Sequence, residues 1–179
     1  MMKQFLIAIG WLMSCAAMGQ NANVPAATTI KANFTIASIK AYQESATLKV
    51  ADYYQYLGLL SSSNTSEALK TEVKAALFAL FEDKNVTVAD ITTTTPTTIA
   101  LVDLITKITN QNYSFTLSNY ENSIVAADYW TTKYQVTIQQ NETQTEQICF
   151  QRVLFKPTTK TFGTTKKEIW TLFLGEVTF

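Results

Sequence analysis

Arg152 is the only arginine in the chain, and it stands in an apolar run, Ile148-Cys149-Phe150-Gln151-Arg152-Val153-Leu154-Phe155. A guanidinium there suits bidentate grip of a carboxylate or phosphate. The competing reading is a salt bridge to Glu176, Asp128 or a helix carboxylate, since arginine is rarely buried without a partner. Trp130, Tyr134 and Trp170 are large aromatics on alternating segments. They are candidates for an aromatic pocket wall beside Arg152, and equally for core. Arg152, Trp130, Tyr134 and Trp170 form the candidate ligand-binding set.

Histidine is absent. That removes Ser/His/Asp and Cys/His nucleophilic sites and histidine-ligated metal centres. No acidic cluster has calcium-loop spacing, and no glycine falls in a phosphate-cradling GxGxxG or GxxxxGK pattern. No cofactor is expected, and the reading leans away from an enzyme. An isomerase, dehydratase or cyclase chemistry would need a carboxylate base beside a tyrosine that holds an enolate oxygen. Asp52 or Asp103 with a neighbouring tyrosine is the pair available for it.

The first nineteen residues carry an address. Lys3 makes a short positive region, Phe5 to Met13 is apolar, and Ala17-Met18-Gly19 precedes Gln20 as a small-x-small cleavage site. This is the layout of a secretory signal peptide, too short for a spanning helix. The alternative is a lipobox, Leu12-Met13-Ser14-Cys15, which would leave the protein lipid-anchored through Cys15. Export to a periplasm or the exterior is expected either way.

Removing the leader leaves 160 residues, one domain's worth, with a net charge of −1 because Lys3 leaves with it. No charge excess points to nucleic acid or to an anionic membrane surface. Cys149 is then the last cysteine, which excludes an intrachain disulfide and reads as a small buried hydrophobe. Lys156, Lys160, Lys166 and Lys167 cluster in an expected loop at 156–167. They are read as an anion-binding rim or, preferably, as solvated lysines that deter edge pairing. Five N-x-S/T triplets begin at Asn33, Asn64, Asn85, Asn112 and Asn141, as a chain rich in Asn and Thr produces by chance.

The elements that must position these residues follow from periodicity. Residues 20–33 are small and polar and read as a tether to a domain over 34–179. Ala32 to Ile36 alternates weakly, as a short edge strand would. Ile39, Tyr42, Ala46, Val50, Tyr53, Leu57 and Leu60 mark one face of a helix. Ser66 or Thr65 caps a second helix with Leu69, Val73, Leu77, Leu80 and Phe81 as its stripe. Val86 and Val88 suggest a strand, and Thr92 to Thr98 a threonine loop around Pro96. Leu101, Leu104, Ile105 and Ile108 mark a third helix. From Tyr113 onward the period is two, giving several antiparallel strands.

This order, with Ala51-Asp52-Tyr53-Tyr54-Gln55-Tyr56-Leu57 and Ala79-Leu80-Phe81-Glu82 leading into Val86-Thr87-Val88, resembles the nuclear-transport-factor-2-like superfamily, the cystatin-like α+β cones. The resemblance covers residues 38–179. It implies an α+β fold in which three helices pack into the concave face of a strongly bent antiparallel sheet. It also implies binding or accessory roles, isomerase-type enzymes, or a dimerising scaffold.

A last hairpin centred near Phe162 would set Arg152 opposite Leu172, Phe150 opposite Leu174 and Ile148 opposite Glu176. Ile148, Phe150, Arg152 and Leu154 would then share the helix-covered face with Trp130, Tyr134, Val136, Ile138, Trp170, Leu172, Leu174 and Glu176. The expected function is an exported binding or accessory module that holds a small apolar or amphipathic ligand, or an envelope protein partner, in that concave face.

Overall fold

The computed structural model describes residues 29–179. The leader, its lipobox alternative and most of the expected tether lie outside them. The fold is α+β, with four helices, a four-stranded antiparallel sheet and a small two-stranded sheet.

Residues 30–33, placed with the tether by composition, instead form a helical turn, α1 (Ile30–Asn33). Ile30 is fully buried, and its amide donates to the Ala127 carbonyl at 2.7 Å. The weak alternation over 32–36 is therefore no strand: burying Ile30 gains more than an edge ladder would. Thr35 caps α2 (Ile36–Ser61) through its hydroxyl, which accepts from the Ser38 amide. The face expected for α2 is the one buried, from Ala46 and Val50 to Tyr53, Leu57 and Leu60. Ser66 caps α3 (Glu67–Ala79), which buries Val73 and Leu77 but leaves Leu69 about half exposed. In α4 (Leu101–Ile108) the expected stripe of Leu101, Leu104, Ile105 and Ile108 is buried, while Val102 is exposed.

Between α3 and α4, β1 (Thr87–Ala89) pairs antiparallel with β2 (Thr98–Ala100) across the threonine loop. Asp90 anchors that loop: its carboxylate accepts from the Thr92 amide and hydroxyl and from Lys107 Nζ at 2.7 Å. Burial alone would raise the Asp90 carboxyl, but the bonds from Lys107 and Thr92 outweigh it and hold the group below the usual carboxylate range.

The main sheet runs in sequence order, β3 (Tyr113–Asn122), β4 (Tyr129–Gln140), β5 (Thr143–Phe162) and β6 (Thr165–Thr178). One face is covered by helices, with α2 against β3 and β6, and α3 and α4 against α2. The other face is lined by Thr, Gln, Lys and a few apolar residues, and beside it, at Arg152, lies the 82–87 segment.

The loop expected at 156–167 is two strands joined by a tight turn. Phe162 pairs with Thr165 around Gly163-Thr164, and Gly163 takes the left-handed conformation (φ 61°) that glycine adopts without steric cost. This turn fixes the register of β6 on β5: Val153 faces Leu174, Phe155 faces Leu172, and Pro157 faces Trp170. The expected pairing of Arg152 with Leu172 was three residues out. An odd slip exchanges the faces of a strand.

Candidate functional site

The exchange of faces divides the candidate residues. Trp130, Tyr134 and Trp170 point to the helix-covered face, as expected, together with Cys149, Val153 and Phe155. Ile148, Phe150, Arg152 and Leu154 lie on the other face, contrary to the expected joined face. The physical reason is the turn: Gly163-Thr164 closes β5 on β6 further along than a loop centred at Phe162 would.

The helix-covered face is filled by the protein's own side chains. Trp130 and Tyr134 are fully buried, as are Tyr53 and Phe155. Phe34, Tyr42, Phe155 and Trp170 form one ring cluster, with Phe155 centred 4.3 Å from Tyr42 and 5.1 Å from Trp170. Edge-to-face and tilted pairs of this kind add packing energy beyond burial alone. A second cluster joins Tyr53, Tyr54 and Tyr134, with the Tyr54 and Tyr134 hydroxyls 3.1 Å apart. Tyr54 also donates to the Cys149 thiol at 3.8 Å. Burial pushes all three phenols well above their ordinary range and the Cys149 thiol up to about 11. A thiol held protonated in this way is a packing group and not a nucleophile.

The carboxylates proposed for an isomerase-type site do not join these phenols. Asp103 is exposed on α4, and Asp52 is half-buried on α2; neither hydrogen-bonds to a tyrosine. Among the described residues no group of three metal-ligating side chains converges.

On the open face, Arg152 sits in a β-bulge. Gln151 pairs with Val177 and Val153 with Leu174, so Arg152 alone opposes both Gly175 and Glu176. Gln151 holds the irregularity from the buried side: its Nε2 donates to the Gly175 carbonyl at 2.9 Å, to Arg152 O at 3.0 Å and to Glu176 O at 3.3 Å. A Cβ at residue 175 would stand 3.4 Å from the Arg152 Cβ, so glycine lets the two strands approach closely.

The Arg152 side chain is exposed, and its guanidinium carbon lies 4.2 Å from the centre of the Tyr129 ring. Among the described residues it makes no salt bridge, neither to Glu176 nor to Asp128. The expected structural partner is therefore replaced by a cation–π stack, which leaves the guanidinium's donors free for another molecule.

Two grooves meet at this residue. One, of about 350 Å³, lies between the 82–87 segment and the bulge, with Glu82, Asp83 and Glu176 on its walls. The other, of about 170 Å³, is bounded by Tyr129, Phe150, Glu176 and Thr178. Phe150 and Ile148, 37% and 52% exposed, extend an apolar strip along β5. Sequence reasoning named Arg152 and put Phe150 on its face without counting it in the site, and it missed Tyr129. Their signal was the same register, since Tyr129 and Phe150 lie on the face of Thr131 and Arg152. Lys156 ion-pairs with Glu82 and so belongs to the framework of the larger groove.

No family model, curated protein or solved structure matches this chain.

Proposed function

We propose that the protein is an exported, non-enzymatic binding module that engages a protein partner through the open face of its sheet, centred on Arg152. The observation that carries this is the exposed, carboxylate-free guanidinium stacked on Tyr129 and flanked by Phe150 and Ile148. Arginine and tyrosine dominate binding energy at protein interfaces, and an apolar strip with a polar surround is the composition such interfaces use. The signal-peptide pattern of residues 1–19 supports export. The element order supports a likeness to the nuclear-transport-factor-2-like superfamily, whose members include accessory modules. The helix-covered face, the surface first considered for a ligand, is occupied by the protein's own aromatics.

The double substitution Phe150→Ser with Arg152→Ala tests the reading. Both side chains stand on the surface, so the melting temperature should stay within about 2 °C. Partner recovered from the native envelope fraction should fall by roughly tenfold or more relative to the wild type, while a control Lys84→Ser protein keeps it. Equal recovery by the double variant and the wild type would remove Arg152 from the interface.

A further inference from the structure

The last hairpin extends beyond the sheet. Pairing of β4 with β5 stops at Tyr129–Leu154, whereas β5 and β6 continue together to Phe162–Thr165. Every residue from Thr159 to Glu168 is exposed. From Pro157 the arm reaches roughly 20 Å at strand rise.

Its composition is costly for folding. Lys160 and Lys167 are direct cross-strand partners, and like charges in that position repel. Lys166 stands beside them. Among the described residues none of the three has a carboxylate within ion-pair distance, and Glu168 is the arm's one acid. Phe162 stands at the turn, 54% exposed, and a side-chain carbon added at the neighbouring Gly163 would meet nothing within 4 Å. Lysines on an edge strand deter strand addition. That role requires neither a bare phenylalanine at the tip nor two lysines face to face.

We infer that the β5–β6 arm is a membrane-contacting finger that meets an anionic lipid surface tip first. The order along the arm matches the depth order of a bilayer interface. Phe162 reaches the acyl boundary, Lys160, Lys166 and Lys167 lie at the level of lipid phosphates, and the threonine-rich stem stays in water. Anionic headgroups supply the counter-charge that the Lys160–Lys167 pair lacks within the chain. An acidic protein would also supply charge, but it would cover one face of the ribbon, and neither face of this arm carries an apolar row. The overall charge balance gave no hint of this, because the acids that offset these lysines lie elsewhere in the chain.

Vesicle co-sedimentation tests the inference, using protein that carries Cys15→Ser so that no lipidated terminus contributes. The wild-type arm should bind phosphatidylcholine vesicles containing about a third phosphatidylglycerol at least tenfold more tightly than pure phosphatidylcholine, and should release as salt rises above about 0.1 M. The Lys160→Glu with Lys167→Glu protein and the Phe162→Ser protein should each lose about tenfold or more. Their melting temperatures should be unchanged, because the arm's tip lies outside the core. A Phe162→Trp protein gives a second readout: its emission should shift to the blue with anionic vesicles. Equal binding to the two vesicle types, full binding by the variants, or a wild type that ignores vesicles while retaining an acidic protein would each overturn the finger.

Discussion

Trp130→Ala should cost about 3–5 kcal/mol of stability and lower the melting temperature by roughly 10 °C or more, without changing capture through the open face. Trp130 is fully buried on the helix-covered side, 6.2 Å from the ring of Phe155, so truncation leaves a large cavity in a well-packed interior. Among the described residues its indole N–H has no hydrogen-bond partner. Trp130→Phe should therefore be much milder, because removal of an unpaired buried donor offsets part of the lost volume. Thermal denaturation followed by far-ultraviolet circular dichroism measures both. A Trp130→Ala protein that melted like the wild type would show a loosely packed wall, as a ligand pocket has.

The second large effect is alkaline unfolding. Tyr53, Tyr54 and Tyr134 are held neutral chiefly by burial, and their phenols sit above the ordinary value of 10.0; Cys149 is held near 11 against 9.0. Groups whose folded values are raised contribute stability in full below their unfolded values and lose it as pH rises. The protein should thus keep its stability to about pH 9, weaken first as the unfolded thiol ionises, and fall steeply above about pH 10. Each group that stays protonated in the fold while ionised in the unfolded chain removes about 1.4 kcal/mol per pH unit. Together these four exhaust a typical domain's margin within about two to three pH units. The share of the tyrosinate absorbance that belongs to Tyr53, Tyr54 and Tyr134 should then appear together with the loss of circular dichroism, in one cooperative step. Titration of all the tyrosines near their ordinary value, with the fold intact, would contradict the buried cluster.

The division between what was legible in the sequence and what was not follows the chemistry of each element. The stripes of α2 and α4 were clear because their apolar residues recur every three or four positions against polar neighbours. In β4, Trp130, Thr132, Tyr134, Val136 and Ile138 alternate with Tyr129, Thr131, Lys133, Gln135 and Thr137, so the buried face could be read directly. β5 offers no such contrast: Ile148, Phe150 and Leu154 on one face compete with Cys149, Val153 and Phe155 on the other. Only the turn decides between them, and that turn lies in a Lys/Thr/Pro stretch that reads as loop. β-branched threonine favours strand, and Gly163 supplied the left-handed turn; both signals were masked by the surrounding charge. Arg152 was thus placed on the wrong face. The bulge that holds it needs Gln151 and Gly175 together, which no single-strand pattern displays.

The central claim is that this protein recognises its partner on the open face and keeps the helix-covered face closed. Native mass spectrometry of the protein purified from its native source tests this most directly. The expected result is the mass of the polypeptide with no small molecule retained between helices and sheet. A small molecule that survives purification of the Phe150→Ser with Arg152→Ala protein, and leaves when Trp130 or Tyr134 is truncated, would contradict it.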